Sequence, residues 1–356
     1  MDAFALSETL EDLQAAAQRF AADELAPGAR AAEAAGAWPA RHDEVVRQFG
    51  LCDLDVPEEL GGAGAGALAK VVLLETLAYG DAGGLPALDQ PGPTIGAVLA
   101  CPDPELAAEV AAAGLSGASG AALVVCDHET HDAPRLHWAP ARPPGAWVWV
   151  SSGDDLGLFS APDAFVPTQA LAFAASGGVS SDLSGCRELG RWELAPGAGH
   201  ALRARARLWA GAVALGIAQA AFDATVAYTT ERVVFGKPVA HHQGNAFELA
   251  ALATGVHGAR LAVRDAASDL DAAAPSAPYW ATQAAITALD AAIAVTDAGI
   301  QLLGGHGFLV DHLAEKRFRE ARMLALLFGG RDSAVSDLAA ESLDVDDGLY
   351  SVGPSR

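Results

Sequence analysis

Two segments in the second half of the chain combine arginine, glutamine and glycine in a way that suits a phosphate-bearing ligand. They are Glu231–Gln243, with the sequence ERVVFGKPVAHHQ, and Gln301–Phe308, with the sequence QLLGGHGF. A guanidinium group such as that of Arg232 pairs with pyrophosphate through two parallel hydrogen bonds. Glycines such as Gly304 and Gly305 allow backbone N–H groups to approach a phosphate closely. Either segment alone is better explained by a surface charge or a helix end than by a ligand. Together they indicate a binding surface.

The order and spacing of motifs along the chain resemble the acyl-CoA dehydrogenase family. The pattern ERxxFGxxxxxxQ at Glu231–Gln243 is followed by QxxGGxGF at Gln301–Phe308 and by EKxxRxAR at Glu315–Arg322. Near the start, VPEELGGAG at Val56–Gly64 and LLETLAYGDAG at Leu73–Gly83 extend the match. The resemblance covers the whole chain, is specific in the last third because the motifs keep their spacing there, and is weak in the middle.

This resemblance implies FAD as the cofactor, shared between subunits. In the family these segments contact the FAD that is held mainly by the adjacent subunit. The residues assigned by resemblance are Arg232 to the pyrophosphate, Phe235 against the flavin dinucleotide, Gln243 as a polar contact, and Gln301, Gly304 and Gly305 beside the adenosine end.

The family's chemistry also needs a carboxylate base, which this chain lacks at both family positions. The family removes the α-proton of an acyl-CoA thioester with a glutamate while the β-hydrogen leaves as hydride to the flavin, so the base must lie within hydrogen-bond reach of that proton. The usual glutamate precedes a glycine after the EKxxRxAR helix, where this chain has Phe328. Other members place it near the start of the first C-terminal helix, where this chain has Ala206. A shift to the nearest acids, Glu320 or Asp332, breaks the match, so we predict that this chain has no catalytic residue of its own.

The middle of the chain departs from the family as well. Members carry a TEPxxGSD-like loop that meets the flavin ring and the substrate, whereas VVCDHETHDAP occupies residues 124–134 here. The β region is also shorter than a full flavin-binding barrel. The resemblance therefore implies loss of this chain's own flavin site and retention of its contributions to a neighbour's site.

The preferred hypothesis is a base-less subunit of a heteromeric FAD-dependent acyl-CoA dehydrogenase, similar to the non-catalytic subunit of actinobacterial α2β2 heterotetramers. Its partner, the catalytic subunit, would supply the glutamate and most of the FAD and CoA sites. The reaction would be α,β-dehydrogenation of an acyl-CoA thioester, with a sterol side chain as a candidate acyl group. One alternative is a self-sufficient homo-oligomeric flavoenzyme with another base or another chemistry. The other is a non-enzymatic assembly scaffold.

Composition limits the partners and the compartment. The 356 residues carry a formal charge of −23, which argues against nucleic acid or an anionic membrane as a partner. The first residues have no basic segment before an apolar run, as a secretory signal would have. The most apolar stretch, Leu208–Ala218, is shorter than the about 20 residues of a membrane span. With scattered cysteines lacking CxxC spacing, these features predict a cytoplasmic protein with free thiols.

Periodicity divides the chain into the elements that must position these residues. We expect an α+β, mostly α fold of the acyl-CoA dehydrogenase type. Its predicted regions are a helical domain at 1–118, a reduced middle β domain at 119–200, a C-terminal four-helix bundle at 201–345 and a tail at 346–356. The predicted helices include Ala67–Tyr79, Leu208–Tyr228, Phe247–Asp271, Ala281–Leu303 and Ala314–Leu327. The predicted strands are 121–125, 146–150 and 156–160.

Other candidate sites in the sequence are explained without a functional role. Cys126, His128, Glu129 and His131 lie in one loop without metal-ligand spacing, so no metal site is predicted. The glycines of Gly61–Gly66 follow no strand and open no βαβ unit, which excludes a Rossmann fingerprint. The sequence contains no GxSxG nucleophile motif.

Overall fold

The computed structural model describes residues 6–89, 91–126, 135–140, 147–160, 165–168, 170–183 and 185–343. Helices form the first part of the chain, short strands the middle and long helices the last part. This is the predicted acyl-CoA dehydrogenase-like order of domains.

The N-terminal region packs around one buried helix. Its helices are α1 (Glu8–Phe20), α2 (Ala26–Ala35), α3 (Ala40–Gln48), α4 (Gly66–Asp81), α5 (Leu85–Leu88), α6 (Ile95–Ala100) and α7 (Pro104–Ser116). The side chain of Ser7 caps α1 by accepting from the Leu10 N–H at 3.3 Å, as a serine before an apolar periodic run predicts. Helix α4 is apolar on nearly all sides and is almost wholly buried, so it forms the centre of this region.

The middle region contains two small sheets. Its strands are β1 (Ala121–Val125), β2 (Leu136–Ala139), β3 (Trp147–Ser152), β4 (Asp155–Ser160), β5 (Val166–Pro167), β6 (Val179–Ser181) and β7 (Arg187–Glu193). One sheet has the order β1-β3-β4-β7, with β1 parallel to β3 and the other pairs antiparallel; the second has the order β2-β6-β5. Adjacent residues Val148 and Trp149 are both fully buried, so both faces of β3 are covered, as its unbroken apolar run predicts.

The C-terminal region is built on one long helix. Its elements are α8 (Ala198–Glu231), β8 (Val233–Val234), β9 (Lys237–Pro238), α9 (Gln243–Asp271), α10 (Ala277–Leu303), α11 (Ala314–Leu324) and α12 (Gly330–Leu343). Helix α8 packs along α10 and α4 and supplies much of the main core. Short connections make α8, α9 and α10 run up, down and up. The end of α8, the start of α9 and the end of α10 therefore lie at one end of the bundle.

Several helix bounds differ from the sequence prediction, and one helix was not predicted. Helix α8 begins ten residues before the predicted Leu208, because its polar first turns are buried through ion pairs rather than apolar contacts. Helix α11 ends at Leu324, and the turn after it carries residues with positive φ. Helix α12 is additional to the predicted set.

Two helical segments, Ala198–Glu231 and Ala277–His306, are long and apolar enough to cross a membrane by length and composition alone. Within α8, 67% of the most apolar window is buried inside the protein. Its apolar residues are explained by the core they form.

Candidate functional site

The first predicted binding segment forms a tight hairpin at one end of the bundle. Arg232 ends α8, donating its backbone N–H to the Tyr228 carbonyl at 2.9 Å, and its exposed guanidinium has no partner among the described residues. The hairpin turn is formed by Phe235 (φ 52°) and Gly236 (φ 83°), both left-handed. The Phe235 side chain is 94% exposed. An exposed aromatic ring held on a strained turn indicates a contact surface.

The second segment forms a glycine turn at the same end. Gly304 ends α10 with φ 59°, and a Cβ at Gly304 or Gly305 would meet no atom within 4 Å. Gln301 and Gln243 are exposed at the adjoining ends of α10 and α9. Backbone groups in this turn are therefore open to a ligand from outside the chain.

A tyrosine–histidine pair joins the two segments. The Tyr228 hydroxyl lies 2.7 Å from Nδ1 of His306, which stands between Gly305 and Gly307 in the turn. Both rings also pack against the ring of His312. The hairpin and the glycine turn thus form one surface. We call the exposed residues Arg232, Phe235, Gln243, Gln301, Gly304 and Gly305 the motif surface.

A cavity of about 540 Å³ lies elsewhere, between the middle region and the C-terminal helices. It is lined by β1, β2, the segment 170–172, Trp209 and the loop after α11. Most lining side chains are apolar, and none of the described lining residues is an aspartate or glutamate. The described lining therefore offers no carboxylate to take a proton.

Phe328 stands in the wall of this cavity. It has φ 56° and is followed by Gly329 and Gly330 at 87° and 70°, so three successive left-handed residues turn its ring toward β1. The ring packs edge-on against Trp209, with centroids 6.4 Å apart. The Phe328 carbonyl accepts from Nε of Arg207 at 3.4 Å, which ties the loop to α8.

A buried charge network fixes Trp209 from behind. Its indole N–H donates to Asp89 at 2.6 Å, and Asp89 also accepts from Nζ of Lys70 at 2.7 Å. Burial lowers the pKa of Lys70, but the carboxylates of Asp55 and Asp89 outweigh this effect and hold that pKa above its ordinary value. Lys70 is therefore charged, and the aromatic wall rests on a rigid ion pair.

Three other residues that the sequence analysis considered for the base lie outside the cavity lining that the structure describes. Ala206 is fully buried on α8. Glu320 points away from the cavity and accepts from Nζ of Lys316 at 2.6 Å, while Lys316 also donates to Asp81 at 2.6 Å. Burial raises the pKa of Glu320 to about 7. The charge of Lys316 acts to lower this pKa, and the nearby carboxylate of Asp81 acts to raise it. Asp332 is exposed on α12 and does not line the cavity.

The EKxxRxAR motif thus serves packing. Lys316 and Glu320 join α11 to the end of α4, and Trp38 donates to the same Asp81 at 2.6 Å. At the start of α8, Arg203 and Arg207 share Asp337 of α12 at 2.8 and 2.6 Å. These pairs position the loop that carries Phe328.

Several predicted features lie outside the described residues. They are His128, Glu129 and His131, most of the segment that replaces the TEPxxGSD-like loop, and the tail. Across the part of the chain that is described, no group of three or more His, Cys, Asp or Glu side chains could hold a metal ion.

The motif surface and the cavity are far apart. Arg207 contacts Phe328 beside the cavity, and Arg232 ends the same helix 25 residues later. At about 1.5 Å per residue, they are separated by roughly 37 Å along α8. The motif residues therefore face outward, away from this chain's own cavity.

Sequence reasoning found the exposed motif residues but missed the buried contacts behind the cavity wall. One such contact joins α8, a loop and α4 through Trp209, Asp89 and Lys70. Because these residues are far apart in sequence, no local spacing predicts that contact. The tyrosine partner of His306 was missed for the same reason. A lysine inside the apolar run of α4 was the one available signal of a buried ion pair.

The chain matches sequence profiles of two domains of one family. Residues 7–118 match the acyl-CoA dehydrogenase N-terminal domain, and residues 201–343 match the acyl-CoA dehydrogenase C-terminal domain. Among similar proteins, a probable acyl-CoA dehydrogenase of Mycobacterium tuberculosis is 28% identical over 372 residues, covering 92% of this chain and 94% of that one.

Solved structures share the fold. Butyryl-CoA dehydrogenase of Megasphaera elsdenii gives a TM-score of 0.76 at 19% identity, covering 96% of this chain and all of that one. A glutaryl-CoA dehydrogenase of Mycobacterium smegmatis in complex with FADH2 gives 0.72 at 18% identity, covering 97% of both chains. A variant of the Tcur3481-Tcur3483 steroid ACAD gives 0.71 at 23% identity, covering 94% of this chain and 97% of that one.

Proposed function

Because this chain belongs to the acyl-CoA dehydrogenase family, whose members are oligomeric FAD enzymes acting on acyl-CoA thioesters, we propose that it is the base-less subunit of a heteromeric member. The partner would be a catalytic acyl-CoA dehydrogenase subunit that supplies the glutamate. The complex would be a cytoplasmic heterotetramer containing two copies of each subunit.

The observation that carries this proposal is the aromatic pair in the cavity wall. A phenyl ring cannot accept a proton, and Phe328 packs against Trp209 at the position where the family places its base. The lining residues that the structure describes include no carboxylate within reach. Without a base this cavity cannot remove an α-proton in the family's manner.

The separation of the two sites is the second support. The motif surface lies roughly 37 Å along α8 from the wall that holds Phe328. At that distance, the motif residues are better placed to contact a ligand held by another chain than a ligand bound in this chain's cavity. The motif surface can be kept for assembly although the local base is absent.

The residues of the motif surface fit an FAD held by the partner. The unpaired guanidinium of Arg232 is suited to the pyrophosphate, and the ring of Phe235 is free to pack on the dinucleotide. The open backbone of Gly304 and Gly305, together with Gln243 and Gln301, offers polar contacts at the adenosine end. When bound, the flavin accepts the hydride from the β-carbon; this chain's part is to bind and orient it.

The substrate class in this proposal is an acyl-CoA with a bulky acyl group, such as a sterol side chain. The partner's glutamate would take the α-proton, and the product would be the α,β-unsaturated thioester. One solved structure of the same fold is a steroid ACAD. Turnover of sterol side-chain and short-chain acyl-CoA esters by the complex would separate the two substrate classes.

The experiment is flavin retention in the complex after single substitutions. Arg232→Ala should lower bound flavin at least tenfold at low FAD, because a charge-assisted contact contributes about 1.5–3 kcal/mol. Arg19→Ala is the matched control, since Arg19 is an exposed arginine on α1 and is not part of the motif surface. Equal flavin retention in the two variants contradicts the assigned role of Arg232.

The same preparation separates the alternatives. A self-sufficient flavoenzyme would bind FAD without the partner and turn over alone. A scaffold would assemble with its partner and leave that partner's flavin content unchanged when Arg232 is replaced.

A further inference from the structure

A second, smaller cavity lies beside the motif surface and has no role in the proposed function. Its volume is about 70 Å³, and it is enclosed by α8, α10 and the start of α11. Its polar lining comes from Thr225, Tyr228, Thr296, His312 and Arg317, and the described lining residues include no carboxylate. A water molecule needs about 10–15 Å³ on this measure, so the cavity has room for a small polyatomic ligand.

The Arg317 side chain is the strongest feature of this cavity. Its side chain is partly buried, and no hydrogen bond or ion pair joins its guanidinium to the described residues. Burial lowers its pKa, and the surrounding Glu320, Tyr79, Asp81 and Asp223 act in the opposite direction. A buried cation without a direct partner is costly unless something in the site accepts its N–H groups.

The surrounding acids are already engaged elsewhere. Asp81 and Glu320 share Lys316, and Asp223 accepts from the Tyr79 hydroxyl at 3.0 Å and from Gln219 at 2.8 Å. On the outer side of α11, Glu315 pairs with Arg30 and Arg319. These carboxylates balance charge at a distance but leave the donors of Arg317 unfilled.

The start of helix α11 adds a second source of positive potential. Leu313 precedes the helix without a side-chain cap, and Leu313 and Ala314 both line the cavity. Arg317 is the first residue whose backbone N–H bonds within the helix, to the Leu313 carbonyl at 3.0 Å, so the first-turn amides carry no intrahelical bond. A helix N-terminus favours an anion. The cavity lies beside the last turns of α8 and α10. It does not lie beyond their C-terminal ends, where the helix dipole disfavours an anion.

The threonine and tyrosine hydroxyl groups that line the cavity are not free to donate to an anion, because each already has a hydrogen-bond partner. Thr225 and Thr296 donate to carbonyls of their own helices, Ala221 and Ala292, both at 2.7 Å. Tyr228 is bonded to His306. The free donors that remain are those of Arg317, the first turn of α11 and the ring N–H of His312.

We propose that this cavity binds a small inorganic anion, in the size range from chloride to phosphate, held by Arg317 and the first turn of α11. The anion fixes the end of α8 against the start of α11. Because Tyr228 lines the cavity and bonds to His306, the anion also steadies the glycine turn of the motif surface. The site is separate from the FAD contacts and stands whether or not the chain is base-less.

The test uses the full chain, purified with its partner subunit. A crystal soaked in sodium bromide should show anomalous density in contact with the Arg317 guanidinium, and Arg317→Met should abolish it. Arg322→Met is the matched control, because Arg322 is an exposed arginine on the same helix that packs on Phe318. An absence of anomalous density at this cavity in the unmodified protein overturns the proposal.

A solution measurement covers the case in which a variant crystallises poorly. The unfolding temperature should rise with chloride or inorganic phosphate at constant ionic strength set by gluconate, which is too large for the cavity. The rise should vanish in Arg317→Met and persist in Arg322→Met. An equal rise in both variants means that the anion acts elsewhere and the proposal is wrong. Arg317→Lys, which keeps the charge, should retain part of the response.

Discussion

The ring of Phe328 stands edge-on to the indole of Trp209, with centroids 6.4 Å apart and planes at 87°. Edge-to-face packing is a favourable arrangement of aromatic rings. The pair closes the wall of the cavity of about 540 Å³. The loop after α11 is a packing element here, held by Arg207 and by the ion pairs of α8 with α12.

Removal of the phenyl ring should affect stability and leave flavin binding unchanged. For Phe328→Ala we expect a loss of about 2–3 kcal/mol in the free energy of unfolding, below the usual range for a fully buried phenylalanine because the side chain is only partly buried. Phe328→Gly removes the same ring and suits φ 56° better, so it should cost less than its packing loss alone. Urea unfolding and the flavin absorbance of the complex measure the two effects. Loss of flavin in a folded Phe328→Ala complex would contradict a purely structural ring.

The hydrogen bond from the Trp209 indole to Asp89 should stabilise the folded protein. Trp209→Phe leaves Asp89 fully buried with one donor fewer, which should cost about 1–3 kcal/mol. Trp192→Phe is a useful control, because that indole packs on Trp149 from strand β7 and has no bond to Asp89. Comparable unfolding free energies for the two variants would mean that the contact with Asp89 adds nothing.

The hairpin turn should show a conflict between stability and binding. Both turn residues have positive φ, a conformation that favours Asn-Gly over Phe-Gly. Phe235→Asn should therefore keep or raise thermal stability by a few tenths of a kcal/mol while weakening flavin retention. Phe235→Ala removes the ring without this backbone benefit and should weaken flavin retention equally. If Phe235→Asn retains flavin as the unmodified subunit does, the ring is not a flavin contact.

The buried carboxyl of Glu320 should give stability a distinctive pH dependence. Burial raises its pKa from 4.5 to about 7, so the folded state binds more protons than the unfolded state between these values. The free energy of unfolding should therefore fall as pH rises from about 4.5 to about 7, by at most about 3 kcal/mol from this group. Glu320→Gln should remove that fall, which chemical unfolding at a series of pH values can measure.

Glu315 provides the control for this experiment, because its shift has the opposite sign. Burial acts to raise its pKa, but hydrogen bonds from Arg319 and Arg30 outweigh burial and lower it. Its stabilising effect is present above pH 4.5 and is lost only as pH falls below that value, so Glu315→Gln should add no slope between pH 5 and 8. A pH slope unchanged by Glu320→Gln would show that Glu320 is ionised throughout.

Local sequence patterns predicted the elements better than the contacts between them. The strands at 121–125 and 156–160 followed from apolar runs. The first turns of α8 were missed, because Arg203 and Arg207 are polar in sequence and buried only through Asp337, 130 residues or more away. The motif surface was accessible to sequence reasoning because its residues are close along the chain and exposed. The direction in which these residues face could be established only from the folded structure.

The central claim is tested most directly by the flavin-to-chain ratio, measured from absorbance for this chain alone and with its catalytic partner. The account predicts no stoichiometric flavin in the chain alone and one flavin per pair of unlike chains in the complex. One flavin per chain in this protein purified alone would contradict it.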